Sequence, residues 1–186
     1  MSSLFTATYV IWFLTEALLN RLLRSKSTDR QHTDKNSLAI IWVTVVLANV
    51  LAVYIAMNFR FFIYSTPAFH YIGLGIIITG IVLRFAAVFS LGAFFTVDVT
   101  IREDHKLKRD GMYKYLRHPS YFASLLSFAG FGIALNNWVS LLLIIVSVLT
   151  VFTYRIKIEE KLLIEQFGNE YLDYKKSTSG LIPFLY

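Results

Sequence analysis

The 186-residue chain has no cysteine. Disulfides, a thiolate nucleophile and cysteine-ligated metals are therefore excluded, and the redox compartment leaves no mark on the sequence. Histidine occurs only 4 times, as His32, His70, His105 and His118, at no ligand spacing, so no metal centre is expected. No glycine-rich phosphate loop, G-x-G-x-x-G turn or G-x-S-x-G elbow is present, which argues against their chemistries. Charge is also scarce. Asp, Glu, Lys and Arg make up 16% of the chain, against about 25% in an ordinary soluble domain. Apolar residues are abundant, at 56%, and come in runs near the roughly 20 residues that cross a bilayer. These proportions predict one small integral membrane domain, residues 1–186, without internal repeats. The N-terminus lacks a basic leader and a small-residue cleavage site, so no cleavable signal is expected.

Five apolar runs follow one another. They cover Leu4 to Leu23, Leu38 to Met57, Phe69 to Leu91, Pro119 to Leu135 and Trp138 to Tyr154. Asn136 and Asn137 alone separate the last two, which predicts a tight helical hairpin. The 3 prolines punctuate: Pro67 precedes the third run, Pro119 fits the first turn of the fourth helix, and Pro183 sits near the end. Residues 155–186 are expected to form an amphipathic polar tail. The expected architecture is an all-α integral membrane protein of about five transmembrane helices, with residues 1–68 as two N-terminal spans and 69–186 as a functional core.

All but two of the 18 lysines and arginines fall in residues 21–37, 92–118 and 155–186, the exceptions being Arg60 and Arg84. Five spans put these three segments on one side, and the positive-inside rule makes that side cytoplasmic, with the N-terminus outside and the C-terminus inside. The net charge of +6 is thus topological, with anionic headgroups as a natural contact. Nucleic-acid binding is not expected, because no basic patch is interleaved with a soluble fold.

Two stretches combine polar groups where apolar runs meet charge, a placement that membrane proteins reserve for function. They are GMYKYLRHPSY, Gly111 to Tyr121, and RIKIEE, Arg155 to Glu160. On a helix Arg155 and Glu159 share a face, about 6 Å apart along the axis, while Glu160 is turned about 100° away. An interfacial Arg–Glu pair capping the last span would satisfy the same spacing. Tyr113, His118 and Tyr121 offer aromatic faces and hydrogen-bonding groups, and the helix start at Pro119 offers N–H groups to an anion. An aromatic belt with a plain helix cap is the alternative there. Lys106, Lys108, Arg109 and Lys114 read as a solvated basic run, His105 as a loop histidine, and Arg84 as a structural residue within snorkelling reach. Together the residues describe a cytoplasmic-side polar pocket suited to a zwitterionic or cationic ligand beside an amphiphile.

At these residues the sequence resembles the isoprenylcysteine carboxyl methyltransferase family, with the phospholipid methyltransferases as relations. The family pattern G-x-Y-x-x-x-RHP-x-Y, an apolar hairpin, R-x-x-x-E-E, FG-x-E-Y-x-x-Y and a proline-containing end is matched by GMYKYLRHPSY, RIKIEE, FGNEYLDYKK and GLIPF, over roughly residues 80–186. The resemblance implies an all-helical fold with a cytoplasmic pocket for S-adenosylmethionine and a lipid-facing entrance for a prenylated acceptor. It implies cofactor contacts from His105, Lys106, Leu107, Lys108, Tyr113, His118, Pro119, Ser120, Tyr121 and Glu159, with Asp98 near another. It places Arg155 at the substrate carboxylate, which makes Arg155 and Glu159 the expected catalytic pair. A carboxylate acceptor is already ionised near neutral pH and needs no general base. Methylation of a phospholipid amine or a lipid phenol would need one, from His118 or Glu160. A non-catalytic membrane scaffold is the reading of another class.

Overall fold

The computed structural model describes residues 3–22, 35–66, 68–92 and 107–183. Six α-helices follow in order: α1 (Ser3–Leu22), α2 (Lys35–Asn58), α3 (Ala68–Leu91), α4 (Pro119–Ala134), α5 (Trp138–Phe167) and α6 (Asn169–Ser177), with a short 3-10 helix at Gly111–Lys114 before α4. Among the described residues no strand occurs, only one isolated bridge between Leu116 and Ser179. The expected helical architecture is therefore observed.

Among the described residues three helices are long and apolar enough to cross a membrane, over Ser37–Asn58, His70–Leu91 and Trp138–Phe167, whereas Phe5–Leu19 and Pro119–Ala134 form shorter apolar helices. At about 1.5 Å per residue, the 16 residues of α4 extend roughly 24 Å, less than the roughly 30 Å hydrocarbon core. Leu47 and Val50 on α2, Val82 and Phe89 on α3, and Leu142 and Val146 on α5 all stand exposed. Such apolar faces are stable against lipid, where a water-soluble monomer would hide them.

Small residues let α3 and α4 approach closely. A Cβ placed on Gly130 would lie 2.7 Å from both the Gly73 carbonyl oxygen and the Ile77 nitrogen. Backbone contact of this kind drives helix association in membranes, where burying apolar surface gains little. Aromatic rings seat α1 on the same pair: Trp12 meets Phe128 edge-on at 4.8 Å and Tyr9 stacks on Phe131 at 4.9 Å. Ala52 of α2 and Ile144 and Val148 of α5 complete the core.

Two sets of contacts define the ends of the bundle. At one end the α4–α5 hairpin turns at Asn136, whose φ of 53° is left-handed, and Asn137 caps α5 by accepting from the Ser140 N–H at 3.1 Å. The Asn136 side chain also accepts from the Ile63 and Tyr64 N–H groups, and His70 Nδ1 lies 2.9 Å from the Ala134 carbonyl. The α2–α3 connection is thereby tied to the hairpin. At the other end Arg155 donates to Ser37 at the start of α2, and Tyr113 donates to Ala87 near the end of α3. The polar tail begins later than expected. Instead of stopping at Tyr154, α5 runs on to Phe167 and stops at Gly168, whose φ of 54° suits a residue without Cβ. Nothing between Tyr154 and Gly168 breaks the helix, so polarity changes along it while the backbone continues.

Candidate active site

The site forms where the start of α4 meets the far third of α5. Helix α5 presents Arg155 and Glu159 one turn apart, as their spacing predicts. The two meet different neighbours. Arg155, 1% exposed, donates to Ser37 Oγ and reaches the Tyr121 hydroxyl. Glu159 is about one third exposed, and its ionic neighbour is His118 Nδ1 at 3.9 Å.

Glu160 does the opposite. Its Oε1 accepts from Arg117 Nε at 2.9 Å and lies 3.4 Å from His118 Nε2, and its Oε2 accepts from Lys175 Nζ at 2.6 Å. Arg117 also donates to the carbonyls of Lys175 and Thr178. The backbone continues this clamp: the Arg117 and His118 N–H groups donate to the Ser179 and Gly180 carbonyls at 2.9 and 3.2 Å, and the Ser179 N–H donates to Tyr115. The segment after α6 therefore folds back over the RHP stretch and fixes it from outside.

From that anchored segment the expected ligand-facing residues converge. His118 and Tyr121 meet edge-on at 5.8 Å, and Tyr121 meets Phe152 at 5.2 Å. Tyr113 is buried near Glu159; burial, with the carboxylate adding, pushes its phenol up, so the hydroxyl remains a donor to Ala87. Tyr174 donates to the Tyr113 carbonyl at 2.6 Å, with its own phenol pushed up to about 12 by burial. Ser120 receives a hydrogen bond from Arg84. Leu107 is half-buried, and Lys108 pairs with Asp110 at 2.8 Å rather than with this cluster. His105, Lys106 and Asp98 lie outside the described residues.

Sequence reasoning missed two features. One is the Arg117–Glu160–Lys175 clamp, for which the doubled glutamate was the available signal. The other is Tyr171. Its hydroxyl is fully buried without a hydrogen-bond partner among the described residues, and burial reinforced by Glu160 and Glu159 keeps it protonated. An orphaned buried hydroxyl costs about 1–3 kcal/mol.

Comparisons with known proteins bear on the same stretch of chain. The family model described as the isoprenylcysteine carboxyl methyltransferase (ICMT) family matches residues 72–165, which contain Tyr113, the RHP stretch, Arg155 and both glutamates. A protein-S-isoprenylcysteine O-methyltransferase of Schizosaccharomyces pombe is 36% identical over 131 residues, covering 69% of this chain and 53% of the relative. Protein-S-isoprenylcysteine O-methyltransferase B of Arabidopsis thaliana is 37% identical over 115 residues, covering 61% and 58%. The solved structure of the eukaryotic intramembrane Ras methyltransferase ICMT superposes with a TM-score of 0.69 at 26% identity, covering 97% of this chain and 65% of that one. The chain thus spans little more than half the length of these curated relatives. A family match over the stretch that builds the cleft, joined to a shared membrane fold over almost the whole chain, leads to one conclusion: the chain belongs to the isoprenylcysteine carboxyl methyltransferase family.

Proposed function

We propose that the protein is an S-adenosylmethionine-dependent methyltransferase that esterifies the carboxylate of a prenylated cysteine or a similar lipid-linked acid. The observation that carries this reading is the division of labour on α5: a buried arginine and a loosely held carboxylate, one turn apart, both facing Tyr121. The cofactor fits the residues present. Glu159 would accept from its ammonium or a hydroxyl, Tyr113, His118 and Tyr121 would surround its cationic centre with ring faces, and the Tyr171 hydroxyl would gain a partner. Pro119, Ser120, His105, Lys106, Leu107 and Lys108 complete the proposed contacts.

When bound, S-adenosylmethionine supplies an electrophilic methyl group to the acceptor oxygen. Arg155 binds the acceptor carboxylate by exchanging Ser37 for it, and its planar fork fixes the direction of attack. Tyr121 and Phe152 exclude water, which favours a step in which opposite charges neutralise one another. No proton need be removed, because the carboxylate is ionised. The amine and phenol readings require a base, and the geometry disfavours them. Glu160, the nearest carboxylate that could serve, is already held by Arg117, Lys175 and His118.

The proposed setting is five membrane-crossing helices, with residues 69–186 as the catalytic core. The N-terminus lies outside and the cleft on the cytoplasmic side, as the distribution of basic residues along the sequence indicates. The experiment is methyl transfer by detergent-purified protein to a farnesylated cysteine, an aminophospholipid and an alkyl phenol, with cofactor binding followed by calorimetry. Transfer to the farnesylated cysteine is expected. Transfer to the amine or phenol alone overturns the acceptor, and absence of cofactor binding overturns the enzyme.

A further inference from the structure

One partly buried charged pair is left unused by this mechanism. Arg84 of α3 and Glu16 of α1 are 16% and 22% exposed and meet at 3.2 Å between Nε and Oε1, with a second contact of 3.3 Å from Nη2 to Oε2. Both ends of the pair reach α4. Arg84 Nη1 donates to Ser120 Oγ, and Ser124 Oγ donates to Glu16 Oε1 at 3.4 Å. Charges among apolar helices are expensive and persist where they have a use. A staple between helices could be built from apolar side chains at lower cost.

The polar ends of this one land on successive turns of α4. Pro119 suits the first position of that helix, but His118 before it makes no side-chain cap, so the first turn draws its side-chain support from other elements. Ser120 is also flanked by the residues that form the cleft, and the Arg84 charge is felt at both Tyr113 and Tyr121.

We infer that Glu16 and Arg84 are positioning residues, an intramembrane ion pair through which α1 and α3 set the register of the first turn of α4, and with it the placing of His118 to Tyr121 opposite Glu159. The consequence for cofactor binding rests on the proposed methyl transfer. The consequence for register rests on the geometry alone.

The test uses the full chain in detergent with two readouts. Hydrogen–deuterium exchange over Tyr115 to Leu126 reports the register without any ligand, and calorimetry with S-adenosylmethionine alongside acceptor KM reports the site. Glu16→Gln should speed exchange in that segment at least tenfold while Trp138 to Val151 is unchanged. It should also weaken cofactor binding at least fivefold with acceptor KM unmoved. Should Glu16→Gln not fold, the neutral pair Glu16→Gln/Arg84→Gln removes both charges and leaves no unpaired ion. It should show the same local loosening. Exchange at the wild-type rate in either folded variant, or an increase spread evenly over α3, α4 and α5, overturns the inference. If wild-type protein fails to bind the cofactor, the functional reading falls and the exchange result still decides the positioning role.

Discussion

The contrast between neighbouring glutamates makes a quantitative prediction. Glu160→Gln removes the anion from a cluster in which Arg117 and His118 side chains are only 9% and 3% exposed. The new amide keeps one acceptor but turns a donor toward a cation. Breaking a buried pair by removing one partner costs about 3–5 kcal/mol. Here Arg117 keeps the Lys175 and Thr178 carbonyls, and the Lys175 side chain is 43% exposed, so its share is screened. About 2–4 kcal/mol remains, a factor of roughly 30 to 1,000 in the folding equilibrium. Glu159→Gln should cost almost no stability, since its one ionic neighbour is 3.9 Å away. It should instead weaken S-adenosylmethionine binding by about 1.5–3 kcal/mol, very roughly 10- to 150-fold. The assay is reversible denaturation of both variants in mixed micelles, paired with calorimetry. Equal destabilisation by the two substitutions, or a larger binding loss from Glu160→Gln in folded protein, would refute the assignment of one carboxylate to the scaffold and the other to the ligand.

Reporter fusions at Arg30, Ile63, Asp110, Asn137 and Tyr186 should read in, out, in, out, in; a cytoplasmic signal at Ile63 rules out five crossings. Arg155→Lys should lose much of the methyl transfer at saturating cofactor, and Arg155→Ala more, with cofactor affinity largely kept; full activity in Arg155→Ala removes the carboxylate clamp. Gly130→Ala should destabilise by about 1–3 kcal/mol, because its Cβ meets backbone atoms of α3 that cannot turn aside; unchanged stability in micelles would show that α3 and α4 do not touch there.

Much of the fold was legible because lipid imposes a simple rule on composition. The apolar runs fall on α1 to α5, and the Asn136–Asn137 break is the turn it was expected to be. The end of α5 was misread because a polarity change looks like the end of an element. The better signal was the absence of glycine or proline before Gly168. The clamp of the RHP stretch by Ser179 and Gly180 was not readable at all. It is made by main-chain groups some 60 residues apart in sequence, and main-chain pairing of that kind leaves no side-chain pattern.

The paired glutamates show why spacing alone could not choose between structure and chemistry. On a helix Glu159 and Glu160 point about 100° apart, so one residue's difference decides which neighbours each meets. Glu160 turns to the side covered by α6, where Arg117 and Lys175 close around it. Glu159 keeps the side of Arg155 and Tyr121, and its ionic contact among the described residues is His118 at 3.9 Å. Arg155, 1% exposed, turns to other neighbours again, among them the Ser37 hydroxyl and the Tyr121 phenol. In the proposed reaction the planar guanidinium would exchange a hydroxyl for the acceptor carboxylate, which its fork can grip with two parallel hydrogen bonds, whereas a lysine at the same place could offer the charge without that geometry.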